Sequence, residues 1–176
     1  MTYVSEYYHT FARMKTEIVG GKRIANVISF LVDNEKMEDG YEKSILELLI
    51  WTNKKTKELS DFVFPNSLDG IRLLTLKFNK EYMTLEKPPR YKAKSEIEAL
   101  FYSINMNLNS KGYPKYVAPE GRTLNDLEIA WNFLEKAENA RDKALKKELN
   151  RQEQLEQMYL KFDKKVKNNI LIMERN

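Results

Sequence analysis

His9 is the only histidine in the chain, set beside Tyr7, Tyr8 and Phe11, and there is no cysteine. A zinc or iron site needs several imidazole or thiolate donors, and a nucleophile needs a base that is itself oriented by a third group. A lone histidine among aromatics supplies neither, so it is read as a structural side chain. Gly20-Gly21-Lys22 lacks the spacing of a phosphate-cradling loop, and no strand precedes it. Carboxylates such as Glu42, Glu135, Glu138 and Asp163 stand among Lys43, Lys136, Lys161, Lys164 and Lys165 in helical sequence. That pattern reads as solvated helix faces and not as paired acid–base carboxylates. No calcium loop of the D-x-D-x-D-G type occurs. The expectation is a non-enzyme with no catalytic, cofactor-binding or metal-binding residue.

Two features carry more information. Lys87, Arg90, Lys92 and Lys94 cluster around Tyr91 and a double proline, a candidate patch for acidic partners or anionic lipid. Trp51 and Trp131 lie beside helical seams and read as core. The overall charge is mild, with 30 Lys+Arg against 26 Asp+Glu and both signs interspersed, so no nucleic-acid role is expected. There is no secretory signal after Met1, no Asn-x-Ser/Thr acceptor and no long apolar run, so an intracellular location is expected.

The elements follow from punctuation and period. Gly and Pro number 6 and 5, too few for an all-β chain with its frequent turns. They stand at Gly20-Gly21, Gly40, Pro65, Gly70, Pro88-Pro89 and in the loop KGYPKYVAPEGR, residues 111–122. From Leu124 a 3-4 spacing passes Leu127, Trp131, Leu134, Leu145, Leu155, Tyr159, Phe162, Val166 and Met173, the stripe of a coiled-coil-like helix. Thr123 is its natural N-cap, with Asp126 in its first turn.

A second stripe runs from Ile24 through Leu31, Tyr41, Ile45, Leu48 and Leu59, in register across Gly40. An out-of-phase stripe, Val4, Tyr7, Phe11, Met14 and Ile18, precedes it, so Gly20 and Gly21 are predicted to form a hinge. In the middle segment Leu68, Ile71, Phe78, Tyr82 and Leu85 share one register, and Ile97, Phe101, Ile104 and Leu108 another, one residue later. Pro88 and Pro89 lie between them and predict a kink. Three such helices bury their stripes only against one another. The fold class expected is therefore all-α, an elongated three-helix bundle with long helical extensions and a core including Trp51, Trp131, Leu48, Leu127, Leu134, Phe78 and Ile104.

The stretch PEGRTLNDLEIAWNFLEKAE followed by LKKELNRQEQLEQ resembles the third helix of the first spectrin-type repeat of the alpha-actinin family. YEKSILELLIW from Tyr41 resembles that repeat's first helix, and KPPRYKAK its second. MTYVSEYYHTF looks like the last helix of a second calponin-homology domain. The resemblance covers essentially the whole chain and implies its boundaries. Residues 1–19 would end a calponin-homology domain and 20–40 form a helical neck. Residues 41–162 would form a left-handed spectrin-type repeat with helices near 41–64, 67–111 (kinked at 88–89) and 123–162, and 163–176 would continue the last helix. It further implies a cytoplasmic, cytoskeletal rod that pairs with itself as an antiparallel homodimer. Binding to F-actin would run through calponin-homology domains outside this chain, and calcium binding would belong to the parent protein. The alternative from the residues alone is a monomeric helical adaptor that uses the Lys87–Lys94 patch on acidic partners or membrane.

Overall fold

The computed structural model describes residues 3–173, and among these no strand occurs. Residues 1–2 and 174–176, the outermost parts of the two terminal segments, lie outside the described residues, as do the side chains of Tyr3, Val4, Ser5 and Leu171. Helix α1 spans Tyr3–Leu59. A turn leads to α2, Leu68–Leu76, which passes into a π-helical stretch, Lys77–Glu86, and then into α3, Lys87–Ser110. After a loop, α4 spans Leu124–Met173. The result is an all-α, spectrin-repeat-like bundle. Its three long helices are α1, the compound second helix and α4, with α1 packed on α3 and α4, and α2 on α4.

Local chemistry sets the ends. Ser67 caps α2, its hydroxyl accepting from the Gly70 amide at 3.2 Å. A β-carbon at Gly70 would lie 2.8 Å from Pro65 Cβ, so the turn closes tightly only over glycine. At the start of α4, Thr123 and Asp126 form a reciprocal capping box. The Asp126 amide donates to the Thr123 hydroxyl at 3.1 Å and the Thr123 amide to the Asp126 carboxylate at 2.9 Å. Gly112 and Gly121, both at positive φ, shape the connecting loop.

The core comprises Tyr41, Ile45, Leu48 and Leu59 of α1, Ile71, Phe78 and Tyr82, then Ile97, Ile104 and Leu108, and Leu127, Trp131, Leu134 and Leu145 of α4. Trp51 is only partly buried, because the inward position of its turn belongs to Thr52, which is fully covered. One end of the bundle is closed where Tyr41 donates to the Arg122 carbonyl at 2.9 Å and packs on Phe101 at 5.4 Å. At the other end, Gln152 and Arg151 reach the Asn66 side chain, at 3.1 and 3.3 Å.

Two features depart from the sequence expectation. Helix α1 runs unbroken through Gly20 and Gly21, where a hinge was expected. Glycine weakens a helix by about 1 kcal/mol but removes no backbone hydrogen bond, so a phase change in an apolar stripe need not break the helix. At Pro88 and Pro89 the accommodation lies before the prolines and not at them. The π-helical stretch takes up the one-residue shift of stripe, and the prolines follow it within continuous helix, where they leave carbonyls of the preceding turn without amide donors.

Candidate functional site

The side chains that carry charge into the bundle converge on the π-helical stretch. Glu138 of α4 is buried, and it accepts from the Tyr82 hydroxyl at 2.5 Å and from the Lys87 ammonium at 2.6 Å. On the α1 side, Glu86 accepts from the Trp51 indole at 3.2 Å and from Lys55 at 3.0 Å, while Lys55 also holds Glu58 at 2.8 Å. Desolvation pulls the Lys55 pKa down, but its hydrogen bonds to Glu58 and Glu86 outweigh this and leave it raised. Burial first, then the hydrogen bond to Glu138, pushes the Tyr82 hydroxyl far above its ordinary value, so it stays a donor. The constellation has no nucleophile and no free base. It can hold three helices in one alignment.

The expected basic patch is thereby taken apart. Lys87 turns inward to Glu138, and Lys94 lies 2.8 Å from both Glu98 and Glu128. Arg90 sits over the Trp51 ring at 5.2 Å, and Lys92 stays exposed, 3.5 Å from Glu96. The four cations are each balanced by a carboxylate or an aromatic face and do not form one surface. The tryptophans have separate surroundings: Trp131 is buried, with Tyr91 at 6.0 Å and its indole donating to Glu135 at 3.2 Å. The sequence reading missed Glu86, Tyr82 and Lys55 as a group. Their one signal was Glu138, a carboxylate standing inside an apolar stripe.

Of the other residues singled out, Leu48, Leu127, Leu134, Phe78 and Ile104 are buried at the helix seams. Gly20, Gly21, Pro88 and Pro89 lie within continuous helix. Outside the bundle the stripes stay exposed among the described residues. Tyr7, Phe11, Met14, Ile18, Ile24, Val27 and Leu31 of α1 are exposed, as are Leu155, Tyr159, Phe162 and Ile170 of α4. Beside the bundle's middle, Leu46, Ile50, Ile129 and Phe133 line an open groove of about 440 Å³ between α1 and α4.

No protein-family model matches the chain. It is 39% identical over 165 residues to a spectrin beta chain of Drosophila melanogaster, covering 94% of this chain and 7% of that protein. It is 39% identical over 166 residues to the human spectrin beta chain, non-erythrocytic 4, covering 94% of this chain and 6% of that one. Against alpha-actinin A of Dictyostelium discoideum it is 33% identical over 167 residues, 95% of this chain and 19% of that protein. The chain thus spans less than a fifth of these relatives, and the resemblance extends over spectrin beta chains and alpha-actinins without singling out alpha-actinin. Nearly full-length similarity to both, on a three-helix bundle of the spectrin-repeat kind, supports a place for this chain in the spectrin and alpha-actinin superfamily.

Proposed function

We propose that the chain is a structural rod segment of an actin-cross-linking protein of the cytoskeleton, whose work is to hold a distance. The observation that carries this is the pair of single helices leaving opposite ends of one bundle. Residues 3–33 of α1 leave at the Tyr41–Arg122 end, and α4 leaves past Gln152 at the Asn66 end. Beyond the bundle both bear apolar side chains that stay exposed among the described residues, as helices shared with neighbouring units of a longer rod would. At ~1.5 Å per residue the described chain extends to roughly 130 Å, and with most of its residues in the central bundle this corresponds to a radius of gyration of ~30 Å. A compact globule of this length would give ~16 Å. Small-angle scattering measures that quantity, and a value near the compact figure refutes the rod.

The finer assignment, the end of a calponin-homology domain, a neck and the first repeat of an alpha-actinin-like rod, rests on the sequence resemblance. Antiparallel pairing with a second copy belongs to the same reading, as does F-actin binding through domains outside this chain. The groove lined by Leu46, Ile50, Ile129 and Phe133 offers an apolar surface for such pairing. Sedimentation equilibrium tests it: a strictly monomeric chain at tens of micromolar rules out pairing by this segment alone.

A further inference from the structure

We infer that the π-helical stretch Lys77–Glu86 is a compliant joint containing one residue more than the bundle needs, tied to both neighbouring helices by polar side chains.

The angular arithmetic comes first. Each residue of an α-helix turns the chain by about 100°. On uninterrupted α-helical numbering, the inward stripe of Ile71, Phe78 and Tyr82 and that of Ile97, Ile104 and Leu108 are offset by about 80°, close to one residue's worth. All six are nonetheless buried in one core, because the widened turn absorbs the extra residue. Its signature is direct. The Lys87 amide bonds to the Tyr82 carbonyl five residues back, and the Thr84 hydroxyl bonds to the Asn79 carbonyl, also five back, at 2.9 Å. Tyr82 and Lys87 would stand about 140° apart on an ideal α-helix. With the extra residue wound in, both reach the single carboxylate of Glu138.

Pro88 and Pro89 bring no amide to the carbonyls of the preceding turn, so the end of the stretch lacks two backbone bonds. Four side-chain contacts supplement the backbone bonds that remain: Tyr82 and Lys87 on Glu138, and Trp51 and Lys55 on Glu86. Two join the second helix to α4 and two to α1, so the stiffness of the joint depends on polar contacts that can break singly. Under the rod reading this is where the rod would bend. The joint itself does not depend on that reading, because its test is a folding experiment.

Deleting Thr84, an exposed residue, brings both stripes into one α-helical register and leaves Tyr82 and Lys87 four apart, still on the same face. Deleting Tyr102, also exposed but within regular α3, throws Ile104 and Leu108 off the core. The Thr84 deletion is expected to keep a melting temperature at or above the parent's and to slow amide exchange across residues 78–92 by ~10-fold, as local opening there is lost. The Tyr102 deletion is expected to abolish cooperative unfolding. The inference is overturned if the Thr84 deletion melts as poorly as the Tyr102 deletion. It is equally overturned if residues 78–92 of the parent exchange no faster than residues 97–108. Neither result bears on the scattering measurement that tests the rod.

Discussion

Replacing Lys87 by Met isolates the Glu138 anchor. The Lys87 and Glu138 side chains are 18% and 7% exposed, so their ion pair at 2.6 Å is largely withdrawn from water. Removing one partner of a buried pair costs about 3–5 kcal/mol, mainly because the remaining charge is left uncompensated. In Lys87→Met, Glu138 would keep only the Tyr82 hydroxyl. The residual exposure of Lys87 sets the expectation at the low end, about 3 kcal/mol. For a chain of this size each kcal/mol moves the midpoint by ~2–4 °C, so thermal unfolding followed by circular dichroism should shift down by ~6–12 °C. A triple variant, Tyr82→Phe, Lys87→Met and Glu138→Leu, should recover most of that loss, since no charge is then buried alone. A Lys87→Met midpoint within a degree of the parent would show that Glu138 is solvated in solution and that this reasoning about the anchor is wrong.

Trp131→Ala removes a buried indole and should cost about 3–5 kcal/mol in a urea titration, whereas Trp51→Ala, at a half-open position, should cost clearly less. Burial, reinforced by Asp126 and Glu42, pushes the Tyr41 hydroxyl up to about 12. Its contribution to stability is present below the ordinary tyrosine pKa of about 10 and is lost as pH rises towards about 12. Tyrosinate absorbance should therefore rise early for exposed tyrosines and late, together with unfolding, for Tyr41. Burial raises the Glu38 pKa, the hydrogen bond from Asn34 draws it back, and Glu35, Glu42 and Asp39 add to the rise. The folded state thus favours the neutral acid. Glu38→Gln should melt higher than the parent at pH 7, and the gap should close as pH falls through the Glu38 titration.

The buried Glu138 marks how far the residue pattern could lead. The charge pattern reads it as part of a solvated helix face, yet it is buried in the stripe between Leu134 and Leu145, and its partners were not legible because Tyr82 and Lys87 lie 56 and 51 residues away. The same holds for the basic cluster. Lys87, Arg90, Lys92 and Lys94 look like one patch when written in a row, yet on a helix Lys87, Arg90 and Lys94 share a face within about 60° and turn to Glu138, Trp51 and Glu128 of the neighbouring helices, while Lys92 alone points away, beside Glu96. Likewise, Trp51 sits one residue from the buried Thr52, and a bulky apolar side chain next to a seam cannot be told from one inside it until the neighbouring helices are in place.

Period and punctuation were enough to establish three long helices, the cap of the last at Thr123, and a one-residue slip of stripe near Pro88 and Pro89. Those properties arise from neighbours along the chain: 3.6-residue spacing, the donor that proline lacks, the hydroxyl that accepts from a free amide. Tertiary structure alone decided that the slip is taken up by a π turn and not by a kink at the prolines. It also decided that Gly20 and Gly21 stay helical, and that the stripes of α1 and α4 outrun their partners. The physical reason is common to all three. Which of several locally allowed backbones is adopted, and which apolar side chains find cover, depends on where the other helices end, and no window of sequence contains that information.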